Sequence, residues 1–203
     1  MPCHGVHARY CEAMPVVHFI PDEFGESALL RLVREPNERR IPNLWAMGGS
    51  LELDVGLADP LRLNCASPLQ HGLEPLLELA QFATSGRSSP LSKVLGTAWP
   101  GRSSHLYYRW RGEHDAVVQL GLRDSTLGVS REGDSVRLTV LETDDQPELE
   151  DTFCTLSKLE VAALPLQLWQ DLDALLKLMG IELEEREEAK WRRLRSDLEM
   201  VEA

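Results

Sequence analysis

Residues 105–180 read HLYYRWRGEHDAVVQLGLRDSTLGVSREGDSVRLTVLETDDQPELEDTFCTLSKLEVAALPLQLWQDLDALLKLMG, and their apolar residues change period part-way through. Up to Leu156 the period is two. Leu106, Tyr108 and Trp110 alternate with Tyr107, Arg109 and Arg111, the pattern of a half-buried strand. Arg111 to Asp115 supplies turn residues, and Ala116 to Leu122 makes a second strand with Val118, Leu120 and Leu122 on one face. Thr126 to Arg131 is a third, bounded by Asp124-Ser125 and by Glu132-Gly133-Asp134. Ser135 to Glu142 sets Val136, Leu138 and Val140 against Arg137 and Thr139, and Thr152 to Leu156 is rich in strand formers after the acidic loop Thr143 to Asp151. Connections this short join antiparallel neighbours.

From Leu168 the period lengthens. Leu168, Trp169, Leu172, Leu175, Leu176 and Met179 form one apolar helical stripe, with Pro165 placed for the first turn and Gly180 for the stop. A helix this one-sided packs across the sheet.

The lead-in repeats the theme. Met14 to Ile20, Ser50 to Val55 and Leu61 to Cys65 read as strands, with Leu44 to Met47 joined to the second through Gly48-Gly49. Ser67-Pro68 opens a helix carrying Leu69, Leu73, Leu76, Leu77, Leu79 and Ala80, whose first turns Gly72 and Pro75 disturb. The chain divides into an extension (1–13), a β-rich half ending in a helix (14–84), a linker (85–104), a β-meander with its helix (105–180) and a charged C-terminal helix (181–203). The fold class is α+β: antiparallel meanders each followed by a packing helix, as one compact domain or two pseudo-repeated halves.

In the tail, Glu182 with Arg186 and Glu188 with Arg192 stand at i,i+4 spacing. Trp191, Leu194, Leu198 and Val201 follow the narrow spacing of a helical seam, for docking in cis or for a homodimer.

Composition sets the functional bounds. The chain has 33 acidic and 21 basic residues, a net charge of −12. Residues 1–100 hold 11 acids and 8 bases, and residues 101–203 hold 22 and 13, so the excess lies in the second half. Such a surface repels polyanions and suits a basic partner. No apolar run approaches the ~18 residues of a membrane span, and the first residues lack a secretory signal's apolar core. Four scattered cysteines (Cys3, Cys11, Cys65, Cys154) point to a reduced, cytoplasmic protein without a disulfide framework. Cys3, His4, His7 and Cys11 have ligand types suited to zinc, but the run is terminal, has no second pair of ligands, and precedes an alternative start at Met14.

Chemistry is harder to place. Glu52 and Asp54 share a strand face, which fits an acid–base pair but equally the wet side of a sheet. His114, between Glu113 and Asp115, falls in a turn, where such residues collect for structural reasons. Cys65 and Cys154 sit in apolar strands as inert thiols. There is no nucleotide loop, nucleophile elbow or metalloprotease helix, and no cofactor is implied. The leading expectation is a non-catalytic acidic interaction module, an immunity or antitoxin-like inhibitor or an adaptor, which binds a basic protein. The alternative is a binder of single-stranded nucleic acid using Arg102, Tyr107, Arg109 and Arg111, where rings stack bases and arginines meet phosphates. In predicted topology alone, the strand-and-helix order is similar to that of the Whirly class of single-strand binders.

Overall fold

The computed structural model describes residues 14–22, 47–86, 106–108, 114–122, 124–181, 183 and 185–202. Three strands, β1 (Val16–Pro21), β2 (Gly49–Asp54) and β3 (Leu61–Cys65), form an antiparallel meander. Five more, β4 (Leu106–Tyr108), β5 (Ala116–Leu120), β6 (Ser125–Glu132), β7 (Ser135–Thr143) and β8 (Phe153–Ser157), form a second meander in strict sequence order. A helix follows each: α1 (Glu74–Ser85) and α2 (Lys158–Leu178), with α3 (Glu185–Glu202) closing the chain. The fold is therefore α+β with two antiparallel sheets, as the alternation predicts. Among the described residues no helix is long and apolar enough to cross a membrane.

Burial follows the pleat. Leu61, Leu63 and Cys65 point inward on β3 while Arg62 and Asn64 face water, and Val136, Leu138 and Val140 do the same on β7. One core contains side chains of both sheets and all three helices, including Leu51, Leu53, Val118, Leu138, Leu76, Leu168 and Leu194. The helix α2 lies against α1, β1, β7, β8 and α3, and α1 reaches β4 and β5.

One helix start differs from the sequence expectation, and a second carries the disturbed first turns that Gly72 and Pro75 predict. Pro165 does not open α2, which begins seven residues earlier. Ser157 caps it: its Oγ accepts the Glu160 N–H at 3.2 Å, and Glu160 Oε2 accepts the Ser157 N–H at 2.6 Å. This reciprocal box satisfies two end donors and fixes the start, leaving Pro165 buried within the helix. The other start is wound differently. Ser67 accepts the Gln70 N–H at 3.4 Å, and residues Pro68–Leu73 form a π-wound turn before α1. Pro75 has no N–H to give to the His71 carbonyl four residues back. That carbonyl instead accepts the Gly121 N–H at 3.0 Å, tying the turn before α1 to the β5–β6 turn.

The α3 stripe docks in cis. Trp191, Leu194 and Leu198 are at most 2 % exposed within a single chain. Trp191 packs on Trp169 of α2 with ring centroids 5.1 Å apart, and its Nε1 donates to Asp173 Oδ1 at 2.9 Å. These three side chains are thus buried within a single chain. The Val201 side chain lies outside the described residues. On the wet face, Glu188 pairs with Arg192, Arg195 with Glu199 at 2.8 Å and Arg193 with Asp197 at 3.8 Å. Each such i,i+4 pair contributes about 0.3–0.5 kcal/mol.

Candidate interaction surface

The first sheet has two edges, and side chains from elsewhere bond to outward backbone donors on each. At β1, Asp171 of α2 accepts the Phe19 N–H on Oδ2 at 2.7 Å, and its Oδ1 lies 3.3 Å from His18 Nδ1. At β3, three groups from the second sheet act together. The Gln146 amide accepts the Arg62 N–H at 2.7 Å and donates to Pro60 O at 2.9 Å, so one side chain takes the place of a neighbouring strand. Asp124 Oδ2 accepts the Asn64 N–H at 2.5 Å, and the Leu122 N–H reaches Asn64 O at 2.9 Å. Asn64 Nδ2 extends to Asp145 Oδ2 at 3.5 Å. Gly121 stands at the point of closest approach: its φ is +64°, and a Cβ there would lie 3.0 Å from Asn64 O. Only glycine fits both demands.

These bonds pin the loop between β7 and β8. Residues 142–151 (ETDDQPELED) hold six carboxylates and no base. Gln146 and Leu149 are buried, Leu149 at 1 % exposure, while Glu142, Asp144, Asp145, Glu148, Glu150 and Asp151 are all exposed. The loop folds on itself through a 3₁₀ turn at Pro147–Leu149, with Thr152 Oγ1 donating to Leu149 O at 2.5 Å. Asp151 takes φ +61° and gives its N–H to Val140 O, a left-handed bulge that turns the chain into β8. Asp124 belongs to the same surface: the Asp144 N–H bonds Asp124 O at 2.9 Å. Burial pushes the Asp124 carboxyl above its ordinary range, the Asn64 N–H opposes this, and the charges of Asp144 and Asp145 add to the rise. Asp59 stands one residue from Pro60, whose carbonyl Gln146 holds, and is also exposed. The result is an acidic ridge along the seam between the sheets, anchored by Gln146 and Leu149.

The other candidates resolve into structural roles or lie elsewhere. Glu52 pairs with Arg62 at 3.3 Å, and Asp54 accepts the Gly56 N–H at 3.1 Å. His114 lays its ring on Gly128 and approaches Ser130 Oγ at 3.3 Å, while Asp115 accepts the Arg131 N–H at 2.7 Å. Cys65 and Cys154 are buried; burial, with the Asp124 charge second, pushes the Cys65 thiol up to about 12, so it stays protonated at neutral pH. Cys3, His4, His7 and Cys11 lie outside the described residues, as do Arg102, Arg109 and Arg111. Of Tyr107 only the backbone is described, paired with Val117 across β4 and β5. On the outer face of the second sheet, the Phe153 ring carries the Arg137 guanidinium 3.8 Å above its centre.

A cavity of about 550 Å³ lies between α2 and α3, floored by Trp169, Leu176, Ile181, Leu183 and Trp191. Its rim cations are already paired within the chain: Lys177 with Asp173, Arg192 with Glu188 and Arg195 with Glu199.

No family model, curated protein or solved structure matches this chain. The functional reading therefore rests on the surface itself. The ridge is legible in sequence as an acidic loop, but its anchors are not. Gln146, Asp124 and Asn64 are ordinary loop and strand residues whose partners lie 60 to 86 positions away.

Proposed function

We propose that this protein is a non-catalytic acidic interaction module, an immunity or antitoxin-like inhibitor or an adaptor, which holds a basic protein against the ridge at Glu142–Asp151. The observation that carries this reading is the combination of charge and fixity. Six exposed carboxylates in ten residues stand on a loop anchored to the first sheet by Gln146 and to the core by Leu149. A surface that pays no ordering cost on binding gives up less affinity than a loop that must be fixed at that moment. Like charges gathered on an anchored support also steer an oppositely charged partner toward it.

The test is recovery of the partner. Tagged protein from its native cells should bring down a basic protein in stoichiometric amount. The triple change Asp144→Asn, Asp145→Asn, Glu148→Gln should slow association and flatten its salt dependence. Recovery of nothing stoichiometric, or a partner indifferent to the triple change, would end the proposal.

A further inference from the structure

The second sheet ends on β8, and the bonding phase of that strand shows which way its backbone groups point. The Val140 N–H bonds Thr152 O at 2.9 Å, so Val140 turns its backbone toward β8. Leu138 and Val136, two and four residues earlier, do the same and face Cys154 and Leu156. Phe153 and Thr155 therefore direct their N–H and C=O groups away from the sheet. The Ser157 N–H is taken by Glu160, but among the described residues no group meets the outward N–H of Phe153 or Thr155. On the first sheet side chains meet the outward N–H groups of Phe19, Arg62 and Asn64; on this edge none of the described residues meets those of Phe153 or Thr155. Nor does its sequence, FCTLS, contain the lysine or proline that commonly guards an exposed edge.

We propose that β8 is a docking edge on which the basic partner lays an extended segment as an added strand. This rests on the interaction-module reading above and names the form the partner takes. Charge complementarity selects the occupant. The loop that delivers β8 presents Glu148, Glu150 and Asp151 exposed at the strand's leading end, on a 3₁₀ turn whose Leu149 is buried. Main-chain bonds to Phe153 and Thr155 supply affinity whatever the segment's sequence, and the carboxylates favour lysine and arginine beside them. Leu159, 66 % exposed just beyond the strand, offers apolar contact at the trailing end. A second copy is disfavoured as occupant, because each copy carries a net charge of −12.

The probe is a fluorescein-labelled decapeptide alternating lysine and threonine, with a glutamate–threonine peptide as control. Binding of the full chain is read by anisotropy, and the contact is read by amide hydrogen exchange. The lysine peptide should bind and slow exchange at Phe153 and Thr155, while the ladder amides of Cys154 and Leu156 are slow from the start. Thr155→Pro removes an outward donor without touching the β7 ladder and should weaken binding at least about tenfold with Tm unchanged. The exchange pattern of the unaltered protein keeps the test decisive should the proline variant misfold. Binding that protects neither amide and survives Thr155→Pro overturns the docking edge while leaving the acidic ridge standing. Equal binding of the glutamate peptide, or of the lysine peptide to a Glu148→Gln, Glu150→Gln, Asp151→Asn variant, overturns the charge reading itself. Protection that appears without peptide and rises with protein concentration assigns the edge to a second copy and overturns the proposal.

Discussion

The two sheets are built alike and finished differently. Each is an antiparallel meander that feeds a helix, and each buries alternate side chains in the same core. In the first, the rim donors Phe19 N–H, Arg62 N–H and Asn64 N–H are met by Asp171, Gln146 and Asp124. In the second, the outward N–H groups of Phe153 and Thr155 meet none of the described residues, and only that of Ser157 is taken, by Glu160. A three-stranded sheet of short strands has little ladder of its own, so borrowed side chains complete it; the five-stranded sheet stands on more ladder and can leave an edge for use.

That contrast can be broken most severely at Gln146. Gln146→Ala leaves Pro60 O and Arg62 N–H without partners beside a buried position, at a cost of about 2–4 kcal/mol. Chemical denaturation would read the loss. The same variant should release the acidic loop, so exchange of the amides at residues 144–150 should quicken. A loss below about 0.5 kcal/mol would mean that water replaces the amide and that the edge is not closed by it.

At the opposite rim, Asp171→Ala removes a charged acceptor from the Phe19 N–H, for an expected loss of about 1.5–3 kcal/mol. Asp171→Asn keeps an acceptor and should recover a good part of this. Equal losses from the two variants would assign the effect to the carboxylate charge.

Paired prolines sharpen the comparison directly. Arg62→Pro and Thr155→Pro each delete an outward N–H from an edge strand. The first loses a donor that Gln146 uses and should cost about 1–3 kcal/mol; the second should stay within about 0.5 kcal/mol of the parent. Similar Tm values for both would erase the distinction between a closed edge and an open one.

Much of this frame was open to the sequence because it rests on local period. The boundaries of β3 are those of the Leu61–Cys65 alternation, and β5, β6, β7 and β8 lie within two residues of their runs. Helix starts were less legible. Ser157 and Glu160 lie just past the Thr152–Leu156 strand run and well ahead of the stripe that begins at Leu168, and the eye is drawn to Pro165 instead. In α3 the stripe Trp191, Leu194, Leu198 is the same whether the facing helix belongs to this chain or another. Only the position of Trp169 decides. The surface divides in the same way. Its charge is visible in ETDDQPELED, but its anchoring depends on contacts with β3 that no local pattern encodes.

The smallest expected effect is the most specific to the ridge. Burial, with the neighbouring charges of Asp144 and Asp145, raises the Asp124 carboxyl above its ordinary range despite the Asn64 N–H. The folded chain then holds this proton more firmly than the unfolded chain does. Asp124 therefore contributes stability at low pH that is lost as pH rises through its raised folded value. Asp124→Asn keeps an oxygen for the Asn64 N–H and removes the titration. Its Tm relative to the parent should thus climb as pH is raised from about 4 to about 7. The gain should stay under about 1 kcal/mol, since the group is partly solvated, and should shrink as salt screens Asp144 and Asp145. A difference that is flat in pH, or that falls as pH rises, would show that the bond from Asn64 outweighs burial and repulsion. The ridge would then be held by its carboxylates rather than in spite of them.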